Sequence, residues 1–448
     1  MKKNNMLTGS PIKTIVFFSL PIMLSSLLQY NYSLVDNIIV GRYVSTDALA
    51  AVGNVGPIGS FLIGAAFGLT SGFTIPVAHA FGAGDKRKLS HYAGNSITIS
   101  AIVGVAIIIV AHILTRPLLK AIGTPSEIID LSAAYMNILY FGVPFQMLSN
   151  NFTAISRAVG ESKKPLYFFI VSVIVNFVLD LLFVKNFKWG VEGAAWATLI
   201  ANAVAALLTG IYVIKYNKDV EIKKSDLKPN MATAWEQIKL GIPVSLQFTI
   251  TSIGSMCLQS AVNSFGANVI AGFTAAGRVE NLTNIPMSGL GVATQTFVGQ
   301  NYGAGNHKRM KQGMWVTLAM TTIYTIITGV LLLTFSHPII RMFSADEAVI
   351  YYGAEAMKYF CPFYWILGIL NCLAGTVRGT GKTVPPMIIM LISMCLFRIV
   401  WIKFAMPQFD SIDGIFILYP ISWAIGAVMM VLYTIFGKWQ NPLQKGED

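Results

Sequence analysis

The chain has 448 residues, of which 54% are hydrophobic and only 12% are charged, whereas about a quarter of the residues in a soluble globular protein are charged. This composition excludes a water-soluble globular protein. The net charge of +12 does not indicate nucleic-acid binding, because no soluble domain is present to carry the basic, groove-reading surface that such binding requires.

Uncharged apolar runs long enough to cross a bilayer follow one another along the whole chain, and they predict twelve membrane-spanning helices. The first six are predicted at residues 12–40, 53–80, 91–115, 128–156, 165–185 and 192–214. The second six are predicted at residues 236–263, 270–299, 312–336, 347–376, 384–404 and 413–437. Strands of a membrane barrel would give only short alternating segments, so the predicted class is an all-α polytopic membrane protein.

A charge-rich segment, residues 215–235, separates the two sets of helices and is predicted to be a cytoplasmic linker. It divides the chain into an N-terminal six-helix lobe, residues 1–214, and a C-terminal six-helix lobe, residues 236–448. Most Lys and Arg residues collect on the side that holds the linker and both termini, which predicts cytoplasmic termini. We therefore expect a multi-pass protein of the plasma (inner) membrane.

The two sets of helices are copies of each other. The segment FGAGDKR at 81–87 pairs with YGAGNHKR at 302–309, and RAVGESKKP at 157–165 pairs with RGTGKTVPP at 378–386. Both pairings have the same offset in residue number, which is the offset from Arg157 to Arg378. Because each copy contains an even number of spans, both enter the membrane in the same orientation. The sequence thus predicts two parallel six-helix bundles.

Few acidic residues fall inside the predicted spans, and a carboxylate at the bilayer centre costs about 2.5 to 3.5 kcal/mol on insertion scales. Asn176 and Asp180 are four residues apart and share a face of helix 5. Together with Asp36 of helix 1 they predict a polar patch suited to a proton or a sodium ion. The alternative is that these groups only join helices by hydrogen bonds.

Three other polar positions are predicted to line a substrate cavity. Gln29 and Tyr32 lie on or near the Asp36 face of helix 1, and Arg398 lies inside helix 11. Arg398 has two alternatives, which are pairing with Glu280 of helix 8 and a side chain that snorkels to the membrane surface. Pro21 of helix 1 removes a backbone hydrogen bond and predicts a bend, either static or moving.

No motif predicts nucleotide binding or enzymatic catalysis. Gly381-Lys382-Thr383 lacks the glycine that a phosphate loop requires at position 376, and Pro385-Pro386 block the helix that should follow. No nucleophile elbow or zinc-protease motif occurs, and the histidines lack metal spacing. We expect no cofactor, and no metal beyond a possible sodium ion at Asp36, Asn176 and Asp180.

Several segments resemble the multidrug and toxin extrusion (MATE) exporters. They are VDNIIVGRYV at 35–44, PMSGLGVATQTFVGQNYGAG at 286–305 and the paired turns described above, so the resemblance covers residues 10–435. The DinF-like branch of that family uses an Asp in helix 1, an Asn and an Asp four apart in helix 5, and a Thr in helix 6. These match Asp36, Asn176, Asp180 and Thr198, whereas helix 7 and the middle of helix 10 lack the acids that the NorM-like branch carries there.

The resemblance implies a secondary antiporter that exports amphipathic, often cationic, drugs or toxic metabolites in exchange for protons or sodium ions. Transport would proceed by alternating access, in a monomer embedded in the lipid bilayer, without ATP. The alternative function is a flippase for a lipid-linked saccharide or another lipid. A flippase should have a more basic cavity than Arg398 alone suggests.

Overall fold

The computed structural model describes residues 6–409 and 411–441, which form long helices joined by short turns. The helices of the first repeat are α1 Pro11–Tyr43, α2 Thr46–Gly82, α3 Lys86–Ala121, α4 Ile129–Ala158, α5 Lys163–Asn186 and α6 Gly190–Tyr216. Those of the second repeat are α7 Met231–Phe265, α8 Ala267–Gly303, α9 His307–Thr334, α10 Glu347–Gly379, α11 Val384–Gln408 and α12 Asp413–Phe436.

Ten of these helices, counted within the described residues, are long and apolar enough to cross a membrane. The other two, α4 and α8, have 30 and 37 residues and are also long enough, but they carry more polar side chains and bury many of them. The predicted all-α membrane fold with twelve helices is confirmed. Most observed helices extend a few residues beyond the predicted bounds. The prediction followed the apolar runs, and the helices continue into the polar residues at the ends of those runs.

The turns of the two repeats share a backbone geometry that only glycine adopts readily. Gly84 and Gly305 have φ angles of +71° and +68°, and Gly160 and Gly381 have φ angles of +87° and +85°. The two glycines of each pair have the same offset in residue number as the paired sequence motifs. The internal repeat predicted from the motifs is therefore present in the turns.

The helices form two compact units whose borders differ from those of the repeats. The N-terminal unit contains residues 20–245, and the C-terminal unit contains residues 6–19, 246–409 and 411–441. The border between the units therefore falls within α1, next to Pro21, and within α7, close to Pro243. Our predicted lobes, residues 1–214 and 236–448, describe the repeats, whereas packing assigns the first part of each repeat to the other unit.

The start of α7 packs in the N-terminal unit through close backbone contact and buried polar bonds. Gln237 Nε2 donates to the carbonyl of Phe73 at 2.9 Å, and its Oε1 accepts from Asn95 at 2.8 Å. Helices α2 and α7 touch where Gly72 faces Gly241, and a Cβ atom on either glycine would overlap the other helix. Helix α7 also begins at Met231, inside the predicted linker, residues 215–235.

Residues 6–19 pack in the C-terminal unit because one arginine binds the backbone that precedes α1. Arg309 donates from Nε to Met6 O at 2.9 Å, from Nη2 to Thr8 O at 2.8 Å and from Nη1 to Gly9 O at 2.9 Å. The side chain of Met6 is fully buried. The beginning of α1 is thus held by charge-assisted hydrogen bonds as well as by apolar packing.

Candidate cation site

Three helices of the N-terminal unit bring polar side chains to one point inside an apolar bundle. The side chains come from α1, α5 and α6, and they are Tyr32, Asp36, Asn176, Asp180 and Thr198. The two residues of α1 are four positions apart, as are Asn176 and Asp180 on α5, so each pair shares a helix face. Asp36, Asn176 and Asp180 are only 7%, 2% and 0% exposed.

A single amide joins the two carboxyl groups. Asn176 Nδ2 donates to Asp180 Oδ2 at 3.0 Å and to Asp36 Oδ1 at 3.1 Å, while Asn176 Oδ1 accepts from the Tyr32 hydroxyl at 3.0 Å. This orientation gives partners to both ends of the amide, which the reverse orientation does not. The Tyr32 hydroxyl also lies 3.1 Å from Thr198 Oγ1, so one network connects α1, α5 and α6.

The two carboxyl groups lack a positively charged neighbour. No described Lys, Arg or His residue forms an ion pair with Asp36 or Asp180. The buried Asp180 Oδ1 also accepts no hydrogen bond from any described residue. Adjacent carboxylates in a low-dielectric interior repel each other, and each is costly to bury as an ion. The pair therefore requires a proton or a cation to reduce its negative charge.

The site contains only oxygen ligands that suit a hard cation. Within residues 6–409 and 411–441, no group of three or more His, Cys, Asp and Glu side chains could hold a metal ion. Sodium binding would therefore depend on amide and hydroxyl oxygens beside the two carboxylates. With its nitrogen toward the carboxyl groups the Asn176 amide suits a shared proton, and a half-turn of the amide would present its oxygen to sodium.

The comparisons with known proteins agree with the repeat and with the fold. A model of the MatE family matches residues 21–182 and 243–402, which cover most of both repeats. The chain belongs to the MatE family. The predicted MATE membership is thereby confirmed.

Relatives of this MATE protein match along nearly its whole length. It is 28% identical to the "Probable multidrug resistance protein YoeA" of Bacillus subtilis over 433 residues, which are 95% of this chain and 93% of that protein. It is 26% identical to the "Probable multidrug resistance protein NorM" of Thermotoga maritima over 440 residues, 96% of this chain and 93% of that protein.

Solved MATE structures share the fold. Crystal structures of MATE in the bent and in the straight conformation are each 25% identical in sequence and have a TM-score of 0.89. Each match covers 97% of this chain. It covers 96% of the chain in the structure of the bent conformation and 97% of the chain in the structure of the straight conformation. The predicted MATE-like fold of membrane helices is confirmed.

The α1 residues predicted outside the cation site lie in different surroundings. The hydroxyl of Tyr32, predicted for a substrate cavity, lies in the candidate cation site of this MATE protein. Gln29 is exposed, and its contact with substrate stays a prediction. Pro21 is buried within α1, where its carbonyl accepts from Ser25 Oγ at 2.9 Å.

Arg398, the third predicted cavity residue, lies inside the C-terminal unit. Its side chain is 3% exposed, so it does not snorkel to a surface. Its Nε and Nη2 atoms each donate to Ser422 Oγ at 3.2 Å, and its guanidinium lies 4.9 Å from the ring centroid of Tyr419. A contact between Arg398 and substrate stays a prediction.

The sequence did not indicate Tyr135 of α4, which lies near the candidate cation site. This tyrosine is 7% exposed, and its hydroxyl lies within electrostatic range of both Asp36 and Asp180. No pattern distinguished it, because a tyrosine within an apolar run is more often an ordinary core residue. Only the packing of α4 against the other helices places it near the carboxyl groups.

Proposed function

We propose that this MATE protein is a secondary active antiporter that exports amphipathic, often cationic, organic compounds in exchange for protons or sodium ions. The observation that carries the proposal is the pair of buried carboxyl groups, Asp36 and Asp180, joined by the Asn176 amide and lacking any described cationic partner. A site that needs a positive ion in an apolar bundle is suited to bind and release one during transport.

The substrate class is supported by the relatives, which are named as multidrug resistance proteins. Aromatic and methionine side chains, of which the chain has many, accommodate organic cations of different shapes. The names give no support to lipid flipping, so export of small molecules is the better proposal. The protein would act as a monomer in the lipid bilayer.

The coupling site resembles that of the DinF-like branch, in which helices 1, 5 and 6 of the first lobe carry the cation. The relatives include a protein named NorM, so their names do not separate the branches. The residues favour the DinF-like arrangement, because the acid of α10 nearest the membrane interior, Glu355, instead pairs with Lys358 at 2.6 Å.

Alternating access would expose the substrate site to one side of the membrane at a time. Cation and substrate would favour different states, so that binding of one promotes release of the other. Pro21 is the candidate point at which α1 bends between these states, since a proline removes one hydrogen bond from the helix. The existence of bent and straight conformations of a similar protein supports this role.

Cellular orientation follows from charge. The protein would reside in the plasma (inner) membrane with both termini in the cytoplasm, because the Lys and Arg residues collect on that side. The terminal residues 1–5 and 442–448 lie outside the described residues.

The test is Asp36→Asn, which keeps the shape of the side chain but cannot bind a proton or balance a cation. We expect ion-driven efflux of a fluorescent organic cation to be lost, while expression and membrane insertion stay unchanged. Asp47→Asn is the matched control, because Asp47 is exposed at the start of α2. Efflux by the Asp36→Asn variant at the wild-type rate would remove Asp36 from the mechanism.

A further inference from the structure

Arg398 is a charged residue in the interior of the C-terminal unit. Among the described residues its hydrogen bonds reach only neutral groups, which are Ser422 Oγ at 3.2 Å and, more weakly, Met394 Sδ at 3.5 Å. An arginine remains charged in proteins, so burial of this guanidinium requires a negative charge nearby.

Glu280 of α8 is the candidate for that negative charge. It is half-buried and lies within electrostatic range of Arg398. These two described residues form no direct salt bridge, because no nitrogen–oxygen distance between them is within 4.0 Å. The other titratable groups around Glu280 are Tyr364, Tyr419 and Cys361. The buried hydroxyl of Tyr364 has no hydrogen-bond partner among the described residues.

The repeat places Arg398 at the counterpart of the cation site. At the offset that relates the paired motifs, Thr198 of the N-terminal unit corresponds to Tyr419, the residue against which the guanidinium stacks. At the same offset Asn176 corresponds to Phe397, and Arg398 is the residue that follows Phe397.

Helix α11 contains a feature that changes which way Arg398 faces relative to its counterparts in α5. A π-helical segment spans Leu391–Leu396 and ends two residues before Arg398, whereas the corresponding part of α5 is regular α-helix from Lys163 to Asp180. A π-helical turn departs from α-helical periodicity, so it rotates the residues that follow it in the same helix. Gly254 of α7 accommodates the segment, since a Cβ atom there would overlap the carbonyl of Met394.

We propose that the guanidinium of Arg398 is a built-in cation, which stands where the C-terminal unit would otherwise bind an exchangeable one, with Glu280 as its counter-ion. The chain then exchanges its coupling ion only at Asp36 and Asp180. This inference rests on the proposed antiport function and adds its stoichiometry, one exchangeable cation site in a protein built from two repeats.

The test compares the effect of Glu280→Gln in two backgrounds. Proton uptake by purified protein after a pH jump and equilibrium binding of radioactive sodium together count the cations bound per chain. In the wild-type background we expect Glu280→Gln to leave this count unchanged. In the Arg398→Met background, Glu280 loses its counter-ion, and we expect Glu280→Gln to remove about one proton or sodium ion per chain.

Two results would overturn the proposal. Loss of about one cation per chain on Glu280→Gln in the wild-type background would make Glu280 itself an exchangeable site. An unchanged count in the Arg398→Met background would mean that Glu280 is not the counter-ion of Arg398. Arg278→Met is the matched control, because Arg278 is exposed on α8 and we expect its replacement to change neither count.

Folding gives a second, independent measurement if Arg398→Met is too unstable to purify. The double variant Arg398→Met/Glu280→Gln removes both charges, so it should recover the yield and melting temperature that the single variant loses. An equal loss in both variants would contradict the pairing. The Asp36→Asn variant tests the proposed antiport function separately, because its efflux is measured with Arg398 and Glu280 unchanged.

Discussion

Thr198 is the neutral residue that connects α6 to the candidate cation site. Its Oγ1 atom lies 3.1 Å from the Tyr32 hydroxyl and next to Asn176, so it joins α6 to the two helices that carry the acids. A hydroxyl can donate to one oxygen and accept from another at the same time. Thr198 thus holds the ligands in place without adding charge.

Thr198→Val removes this hydroxyl at nearly constant volume, and we predict weaker cation binding in a folded protein. The loss of one net hydrogen bond is about 1 kcal/mol, which corresponds to roughly a fivefold rise in the cation concentration for half-maximal efflux. The measurement is efflux by proteoliposomes as the driving cation is varied.

The control for that variant is Thr70→Val in the same unit. The Thr70 hydroxyl is also buried, but it bonds to the carbonyl of Ala66 in its own helix at 2.8 Å. We expect no change in cation dependence from this substitution. An equal shift in both variants would mean that the Thr198 effect is a general consequence of losing a buried hydroxyl.

At the level of helices, α3 and α9 begin with the same cap but with different chemistry. The Asp85 carboxylate accepts from the amide of Lys88 at 3.0 Å, and the Asn306 side chain accepts from the amide of Arg309 at 3.1 Å. Only the first cap can titrate. The hydrogen bond from the Lys88 amide, with help from the Lys88 charge, holds the pKa of Asp85 below its ordinary value of 3.8.

We predict an acid-dependent stability difference between the wild type and Asp85→Asn. A lowered pKa in the folded state means that the carboxylate stabilises the fold fully above pH 3.8, and that this contribution is lost as the pH falls through the folded-state pKa. The melting temperature of the wild type should therefore exceed that of Asp85→Asn near neutral pH, and the difference should shrink in acid. A difference that stays constant with pH would contradict this assignment.

For the molecule as a whole, the ion gradient must supply enough energy for export. One cation that enters across about 150 mV releases roughly 3.5 kcal/mol, which sustains a gradient of a few hundredfold for a neutral substrate. A single exchangeable site is thus sufficient for useful efflux of a neutral substrate, whereas export of a monovalent cation in a one-to-one exchange draws on the concentration gradient of the coupling ion.

We predict that proteoliposomes containing this protein export a fluorescent organic cation when a proton or a sodium gradient is imposed, and that ATP has no effect. Imposing each gradient separately identifies the coupling ion. Substrate should in turn stimulate ion flux, because the two movements are linked. Efflux driven by ATP after ionophores have collapsed both gradients would contradict secondary transport.

The sequence by itself determined the parts of this protein that depend on local pattern. Apolar runs predicted the twelve helices, and motifs paired at one constant offset predicted the repeat, which the paired glycines of the turns share. The four-residue spacing of Asn176 and Asp180 was enough to place both on one face of α5, because helical periodicity is a local property. Asp36 and Thr198 were assigned to the same site with the help of the family resemblance.

Only the tertiary structure decided which parts of the chain meet. The spacing of residues along one helix carries no information about its neighbours, so the sequence did not indicate Tyr135 beside the acids or the assignment of residues 6–19 to the C-terminal unit. It also did not indicate the π-helical segment that turns Arg398 toward Ser422 and Tyr419. Periodicity records which side of a helix is apolar, whereas the partner of each side is set by packing between residues far apart in the chain.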